Sequence, residues 1–306
     1  MEKTACKQGP RRCGADRRNG WGRCGADDSI RIARIAPHYW EEPPISGTRG
    51  TGAVFFCGCP LHCVFCQNRE ISGGGAIGRI FSEEALAQAI LGLQAKGCHS
   101  IDLVTAGQYA QKLAPLLRAL RPQLKIPIVW NSSGYETPET LLLLQGLVDV
   151  YLPDFKYYDS ALSERMCAAP DYFEVASAAL FEMARQSGPC VFGADGILRR
   201  GTLVRHLVLP GHRRDSIALM EYLGAHFSPS QIRVSLMWQY TPPAQPIAGA
   251  PELSRRVTRF EYESAAQALK QFGFDGYLQG REAAKAAYTP GFAVSPEGEA
   301  SEAFQL

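Results

Sequence analysis

Three cysteines at short spacing limit what this chain can be. Cys59, Cys63 and Cys66 are separated by three and two residues, and Phe65 directly precedes the last thiol. Three thiolates can hold three corners of a 4Fe–4S cluster and leave the fourth iron without a protein ligand. An open coordination position is where a reactant binds at a metal site. The alternatives are unrelated thiols or structural zinc, but zinc usually takes two short pairs of ligands and no second pair follows here. The spacing therefore indicates a catalytic cluster.

Composition is ordinary for a globular protein with a sizeable core, since 46% of the 306 residues are hydrophobic and 20% are charged. A formal net charge of +2 favours no particular polyanionic partner. The sequence contains neither a long apolar run for a membrane span nor the apolar core of a signal peptide. We therefore expect a cytoplasmic protein without membrane contact. In that reducing compartment clustered thiols bind metal or perform chemistry, whereas the isolated Cys98, Cys167 and Cys190 are interpreted as small buried hydrophobes.

Short apolar runs alternate with helical segments from Gly50 onward. The runs that predict strands are 53–56, 101–105, 126–130, 148–152, 203–209 and 232–236. Ser82 and Thr137 are predicted to cap helices, and further helices are expected over 173–186 and 260–272. Strands that alternate with helices indicate a parallel sheet with right-handed crossovers.

Four stretches beside the cysteine motif carry a family resemblance, and each overlaps a predicted strand or follows its end. They are residues 50–56 (GTGAVFF), 131–136 (NSSGYE), 151–157 (YLPDFKY) and 204–211 (VRHLVLPG). With the cysteines, they resemble the radical S-adenosylmethionine superfamily. Within it, they are similar to proteins related to the activating enzyme of pyruvate formate-lyase.

The resemblance implies an α/β fold, a partial (β/α)6 barrel, over residues 49–280. Residues 1–48 are expected to form a cysteine-containing, largely irregular N-terminal extension, and 281–306 a C-terminal tail that is partly disordered. Ligands of such folds bind at the carboxyl ends of the strands. The three cysteines follow the first strand of the predicted barrel, at that end.

The resemblance also implies the chemistry. S-adenosylmethionine chelates the open iron through its amino and carboxylate groups, and an electron from the reduced cluster breaks its carbon–sulfur bond. The resulting 5′-deoxyadenosyl radical takes a hydrogen atom from the substrate, while the protein positions the cofactor and excludes side reactions. A flavodoxin- or ferredoxin-type protein is the implied reductant.

Cofactor-binding roles follow from the same resemblance for residues after the first and third strands. Phe65 is expected to pack near the cluster and the adenine, and Gln67 to meet the base. Asn131 and Ser133 are expected to contact the ribose hydroxyls. The alternatives are a core aromatic for Phe65 and an ordinary strand-end turn for the Asn-Ser-Ser-Gly run.

Charged residues follow the fourth strand and lie in the fifth. Asp154 and Lys156 share a face if the chain stays extended, so the lysine is a candidate partner for the cofactor carboxylate, oriented by the aspartate. The alternative is an internal ion pair. Arg205 is a second candidate for carboxylate contact, or else it pairs with a neighbouring acid. His206 points to the opposite face and is interpreted as structural.

Two features depart from the family pattern. Activating enzymes commonly carry a Gly-Gly-Glu motif after the second strand, whereas this chain has Gln108 there, a neutral and weaker partner for the cofactor ammonium. Relatives also often have four N-terminal cysteines. Here Cys6, Cys13 and Cys24 remain, and Gly9 stands where the second thiol would be. They are a candidate second metal site, with Cys57 as an outside ligand, or else an inert remnant.

Two classes of function fit these observations. The first is a radical S-adenosylmethionine enzyme that acts either on a glycyl radical enzyme as its protein substrate or on another substrate. The second is a 4Fe–4S electron-transfer or redox-sensing protein on the same scaffold. The missing acid at Gln108 favours the second, whereas the charged residues Asp154, Lys156 and Arg205 favour the first. A nucleic-acid partner is disfavoured because the basic N-terminal segment lacks interleaved aromatic residues.

Overall fold

The computed structural model describes residues 24–26, 29–73, 78–274, 277–278 and 292. Ten strands lie within these ranges: β1 (Arg31–His38), β2 (Thr51–Phe56), β3 (Arg79–Ile80), β4 (Ile101–Val104), β5 (Ile128–Ser132), β6 (Val150–Pro153), β7 (Val191–Phe192), β8 (Leu198–Leu207), β9 (Ile232–Met237) and β10 (Tyr277–Leu278). The helices of the same ranges are α1 (Pro43–Ser46), α2 (Arg69–Ser72), α3 (Glu83–Ala95), α4 (Ala110–Leu120), α5 (Pro138–Leu142), α6 (Ser160–Cys167), α7 (Tyr172–Ser187), α8 (Arg213–His226) and α9 (Arg259–Gln271).

One curved sheet of mostly parallel strands organises the chain. Its order is β10-β9-β8-β6-β5-β4-β2-β1-β3, and β7 pairs with β8 outside this path. The strands from β2 to β10 along the path are parallel, and β1 is antiparallel to both of its neighbours. Across the described residues the sheet does not close, since β10 and β3 are its edges. The predicted partial α/β barrel is confirmed, as are its six predicted strands.

Residues Arg31–His38 form strand β1, whereas the sequence predicts a largely irregular extension there. This strand pairs with β2, for example Ile35 with Val54, so the predicted boundary at residue 48 falls between two paired strands. A register shift between Ile32 and Arg34 interrupts the pairing. Such a bulge breaks the alternation of buried and exposed residues by which a strand is recognised in sequence.

The predicted helix starts are confirmed by their hydrogen bonds. The Ser82 hydroxyl accepts from the Ala85 N–H at the start of α3, and Thr137 accepts from Thr140 at the start of α5. Helices α7 and α9 match the predicted segments within one residue at each end. Within the described ranges, every helix is too short or too polar to cross a lipid bilayer. The predicted C-terminal tail lies outside the described residues except for Phe292, which packs on Phe55.

A short helix fills the amino-terminal end of the barrel interior. In α1, Ile45 is 1% exposed and packs in one cluster with apolar residues that point inward from three strands. Successive side chains of a strand point to opposite faces, so the residue two positions later also points inward. In β5 and β8, and directly after β6, this later residue is polar. The pairs are Val129 and Asn131, Leu203 and Arg205, and Leu152 and Asp154. A polar layer therefore lies above an apolar floor.

Candidate active site

One open cavity of about 250 Å³ holds most of the side chains that the sequence singles out. Its lining includes Cys59, Cys63, Phe65, Cys66, Gln67, Asn131, Ser133, Asp154, Lys156 and Arg205. These residues come from segments that are up to about 150 positions apart in the chain. They meet because the strands are parallel and their carboxyl ends lie at one edge of the sheet.

The cysteine loop is held in place by backbone hydrogen bonds and by one buried side chain. The Cys59 N–H donates to the carbonyl of Cys24 at 2.9 Å, and the Val64 N–H donates to the carbonyl of Met166 at 2.9 Å. Leu61, within the motif, is 2% exposed and packs in the core. The loop is thus fastened both to the N-terminal segment and to the end of α6, while its three thiols line the cavity.

The chemistry of the donor set suits a multi-iron cluster. Among the described residues, no group of three or more His, Cys, Asp or Glu side chains is arranged to hold one metal ion. All three thiols nevertheless line the same cavity. Thiolates that ligate separate irons of a cluster need not converge on one point, whereas zinc ligands must.

Protonation of the three thiols differs with their surroundings. Burial raises the pKa of the Cys59 and Cys66 thiols above the ordinary value. A hydrogen bond with the Cys167 thiol lowers the pKa of Cys63, against the opposing effect of burial. Metal ligation requires the thiolate, so a cluster held by these thiols would release protons as it assembled.

Gln108 supports the cysteine loop. Its Nε2 donates to the carbonyls of Cys57 and Gly58 at 3.0 and 2.8 Å, and the Tyr109 hydroxyl donates to Cys57 at 3.0 Å. The Gln108 Oε1 is buried and has no hydrogen-bond partner among the described residues. The predicted contact with the cofactor ammonium stays a prediction, and the structure adds a positioning role. Thr105, at a left-handed φ of 57°, lines the cavity at the turn before Gln108.

Asp154 lies between two cations. Lys156 Nζ donates to its Oδ2 at 2.6 Å, and Arg205 Nε donates to its Oδ1 at 3.0 Å. Although burial alone would raise it, these cations lower the pKa of Asp154. The predicted shared face of Asp154 and Lys156 is confirmed, and so is the ion pair between them. The predicted contact of Lys156 with the cofactor carboxylate stays a prediction.

Arg205 is held on three sides by protein groups. Besides Asp154, it donates from Nη1 to Glu41 Oε2 at 2.9 Å and from Nη2 to Asn131 Oδ1 at 2.6 Å. Asn131 Nδ2 in turn donates to Asp102 Oδ2 at 3.2 Å and to Glu41 Oε1 at 3.3 Å. Both ends of the Asn131 amide and each guanidinium nitrogen of Arg205 are therefore engaged. Their predicted contacts with the ribose and the cofactor carboxylate stay predictions.

Two acids on the cavity wall were missed by the sequence reasoning. Glu41 and Glu42 arrive from the turn between β1 and α1. Burial raises the pKa of Glu42 to about 7, against the lowering effect of Arg205, and Glu41 raises it further. The available signal was the pair of acids directly before Pro43 and Pro44, but it is also the ordinary pattern of a helix start.

Tyr172 fixes the spacing of the segments that follow β5 and β6. Its hydroxyl is 2.9 Å from the carbonyl oxygens of Ser133 and Asp154 and accepts from the Lys156 N–H at 3.1 Å. Phe65 packs edge-to-face on Tyr240, with ring centroids 6.0 Å apart. These contacts hold the predicted cofactor residues against rigid elements.

The remaining predicted residues are placed as follows. His206 faces away from the cavity and is hydrogen-bonded to the Phe155 carbonyl and the Ser216 hydroxyl, which confirms its structural interpretation. Cys6 and Cys13 lie outside the described residues, so the second metal site stays a prediction. Cys24 is buried, with its carbonyl on the cysteine loop. Cys98 is buried and Cys190 half-buried, whereas Cys167, also buried, is not isolated from the motif as expected, because its thiol hydrogen-bonds Cys63.

Comparison with known proteins gives one family. The family model described as the radical SAM superfamily matches residues 53–223, more than half of the chain. Among curated proteins, the chain is similar to the uncharacterized protein MJ0674 of Methanocaldococcus jannaschii. The two are 26% identical over 276 residues, which covers 86% of this chain and 74% of that protein.

Two solved structures illustrate the structural likeness. One is a domain of pyruvate-formate lyase-activating enzyme from Bacteroides vulgatus, with a TM-score of 0.40 and 15% identity over 57% of this chain and 93% of that one. The other is Streptococcus suis SuiB bound to S-adenosylmethionine, with a TM-score of 0.47 and 14% identity. That match covers 80% of this chain and 51% of SuiB, so the chain spans about half of its length.

Proposed function

Because the chain belongs to the radical S-adenosylmethionine superfamily, we propose that it is an enzyme that binds a 4Fe–4S cluster through Cys59, Cys63 and Cys66 and uses S-adenosylmethionine to remove a hydrogen atom from a substrate. One observation carries the proposal. The three thiols line the same cavity as the buried pair of Lys156 and Asp154. When bound, the cluster and its cofactor supply an electron and a carbon-centred radical.

Lys156 is the residue that we assign to the cofactor carboxylate. Its ammonium has three N–H donors, of which one goes to Asp154. Burial opposes its charge, but Asp154 outweighs that effect and raises the pKa of Lys156 above its ordinary value. The lysine thus stays protonated, and its other donors are available to an anionic group.

The aromatic and aliphatic lining of the cavity has a second task. Phe55, Phe56, Leu61, Phe65 and Ile71 surround the space beside the thiols. Apolar walls exclude water and so protect a reactive species from side reactions. A low dielectric also strengthens the ion pair at Asp154.

An electron relay on the same scaffold is the competing function. The buried charged network at Asp154 and Arg205 supports the enzyme, because a relay has no need of a charged cavity beside its cluster. The resemblance to activating enzymes supports a glycyl radical enzyme as one candidate protein substrate, and a flavodoxin- or ferredoxin-type protein as reductant. The free thiols among the described cysteines support a cytoplasmic location.

Anaerobic reconstitution tests the proposal. The reduced protein with S-adenosylmethionine should produce 5′-deoxyadenosine and methionine, and its cluster spectrum should change when the cofactor is added. Cys63→Ala should lose the cluster and the products, whereas Cys98→Ala, a buried cysteine outside the motif, should keep both. A spectrum indifferent to the cofactor, with no 5′-deoxyadenosine, would support the relay instead.

A further inference from the structure

The deep end of the cavity is richer in carboxylates than in cations. Glu41, Glu42 and Asp154 line it together with the cations Arg205 and Lys156, and Asp102 lies behind Asn131. Four carboxyl groups thus lie near two cations, and burial raises the pKa of two of them, Glu42 and Asp102. Buried carboxylates are ordinarily paired and hydrogen-bonded, and these are the two whose buried oxygens have no hydrogen-bond partner among the described residues.

The network leaves a carboxylate oxygen of the cavity wall without a hydrogen-bond partner among the described residues. Each guanidinium nitrogen of Arg205 already donates to a protein group. By contrast, Glu42 Oε2 is buried without a hydrogen-bond partner among the described residues, and its distance to Arg205 Nη1 is 3.7 Å. The Glu42 side chain is only 3% exposed and belongs to the cavity wall. The spare N–H donors of Lys156 are assigned to the cofactor carboxylate, so the unpartnered Glu42 oxygen is the group that remains for a second guest.

We propose that this end of the cavity binds the cationic end of the substrate, an alkylammonium or alkylguanidinium group, with Glu42 as its hydrogen-bond acceptor. A cation here would supply the missing donor to the Glu42 carboxylate. A carboxylate guest would instead face Glu41 and Glu42 as like charges. The inference deepens the proposed function, on which it rests, because it assigns a substrate class to the same cavity.

Proton linkage at Glu42 agrees with this geometry. Its pKa is raised to about 7 by burial, with Arg205 acting in the opposite sense and Glu41 and Asp154 in the same sense. Burial, Glu41 and Glu42 also raise the pKa of Asp102. A cation that binds the Glu42 carboxylate should displace its proton, so binding should strengthen from about pH 6 to about pH 8 by roughly tenfold.

Small cations of matched length provide the probes. Agmatine and 1,5-diaminopentane are titrated into the reconstituted full-length protein by calorimetry, with glutarate and 1,5-pentanediol as anionic and neutral counterparts. The two cations should bind, and the anion and the diol should not. Glu42→Gln should weaken cation binding by about tenfold or more. Glu84→Gln, which removes an equal charge from the exposed surface of α3, should leave it unchanged.

A pH series distinguishes the loss of the Glu42 carboxylate from misfolding of the Glu42→Gln variant. In the native protein the affinity for agmatine should rise between about pH 6 and about pH 8, and this rise should vanish in Glu42→Gln. Equal binding of glutarate, or cation binding that is insensitive to Glu42→Gln, would overturn the inference. Cleavage of S-adenosylmethionine by the native protein is measured alongside. Cleavage without cation binding refutes only the inference, whereas cation binding without cleavage refutes the proposed function and leaves the cation site standing.

Discussion

Lys156 and Asp154 form a largely buried ion pair, with 2.6 Å between Nζ and Oδ2 and side chains that are 20% and 18% exposed. Asp154 also accepts from Arg205, so it keeps one cationic partner when the lysine is removed. This arrangement makes Lys156 a favourable position for substitution, because the aspartate does not become an isolated buried charge.

Lys156→Met should weaken the binding of S-adenosylmethionine by about 10- to 100-fold, the range expected when a charged hydrogen-bond donor is lost. The iron content should stay that of the native protein, since Lys156 is not a thiol ligand. Equilibrium binding and iron analysis measure the two effects. Lys270→Met, on the exposed surface of α9, is the matched control. Unchanged cofactor affinity would remove Lys156 from the proposed site.

Gln108→Ala should loosen the cysteine loop, because it deletes the hydrogen bonds to the carbonyls of Cys57 and Gly58. We expect a loss of about 1–2 kcal/mol in the free energy of unfolding. The reconstituted cluster should also lose iron faster on gel filtration. Gln145→Ala, at an exposed turn position, should show neither effect. A variant with full iron retention and native stability would contradict the positioning role.

Gly134→Ala should destabilise the protein through backbone strain and also through a steric clash. The glycine has a φ of 77°, and an added Cβ would lie 2.3 Å from the Asp154 carbonyl oxygen. Gly146 has nearly the same φ, 75°, but nothing within 4 Å of an added Cβ. Gly146→Ala should therefore cost only the backbone strain, about 1–2 kcal/mol. Gly134→Ala should cost about 1–3 kcal/mol more. Urea unfolding measures both, and equal losses would refute the predicted clash.

His206 should make the protein less stable in mild acid. Burial lowers the pKa of His206 to about 4, so the unfolded chain binds a proton at a higher pH than the folded protein does. The stability contributed by the neutral ring is present above about pH 6.5 and is lost as the pH falls towards about 4, by about 3 kcal/mol. Urea unfolding at several pH values should show a shallower decline in His206→Gln than in the native protein.

Glu42 changes the stability in the opposite direction from His206. Its pKa is raised to about 7, so the stability that the protonated carboxyl contributes is lost as the pH rises towards about 7. The difference between the native protein and His206→Gln isolates the histidine from this effect. His226→Gln, on the exposed side of α8, should follow the native curve. An equally steep decline in His206→Gln would show that other groups govern acid stability.

Local sequence signals predicted the parts of the fold that depend on neighbouring residues. Apolar runs gave the strands of the barrel, and the hydroxyls of Ser82 and Thr137 marked helix starts that the structure confirms. The pairing of Asp154 with Lys156 was accessible because a strand places every second residue on one face. Strand β1 was hidden by its bulge, which interrupts that alternation.

The partners of Arg205 could not be predicted from the sequence. Glu41 lies 164 positions away in the chain and Asn131 lies 74 positions away, and neither separation follows from a local pattern. Their meeting depends on how α1 enters the barrel and on the strand order, both of which are tertiary properties. The family resemblance drew attention to the cofactor residues, and so passed over acids that the family motif does not contain.

The turn that joins β1 to β2 combines two tasks in one short segment. Ile45 of this segment packs in the apolar cluster below the polar layer, and Glu41 and Glu42 line the cavity. The thiol loop lies elsewhere in the chain, so under our proposals the residues that hold the cluster and the residue that recognises the substrate belong to different segments. Exchange of residues 39–50 among homologous barrels is thus a direct route to redirecting such an enzyme towards new compounds without rebuilding its metal centre.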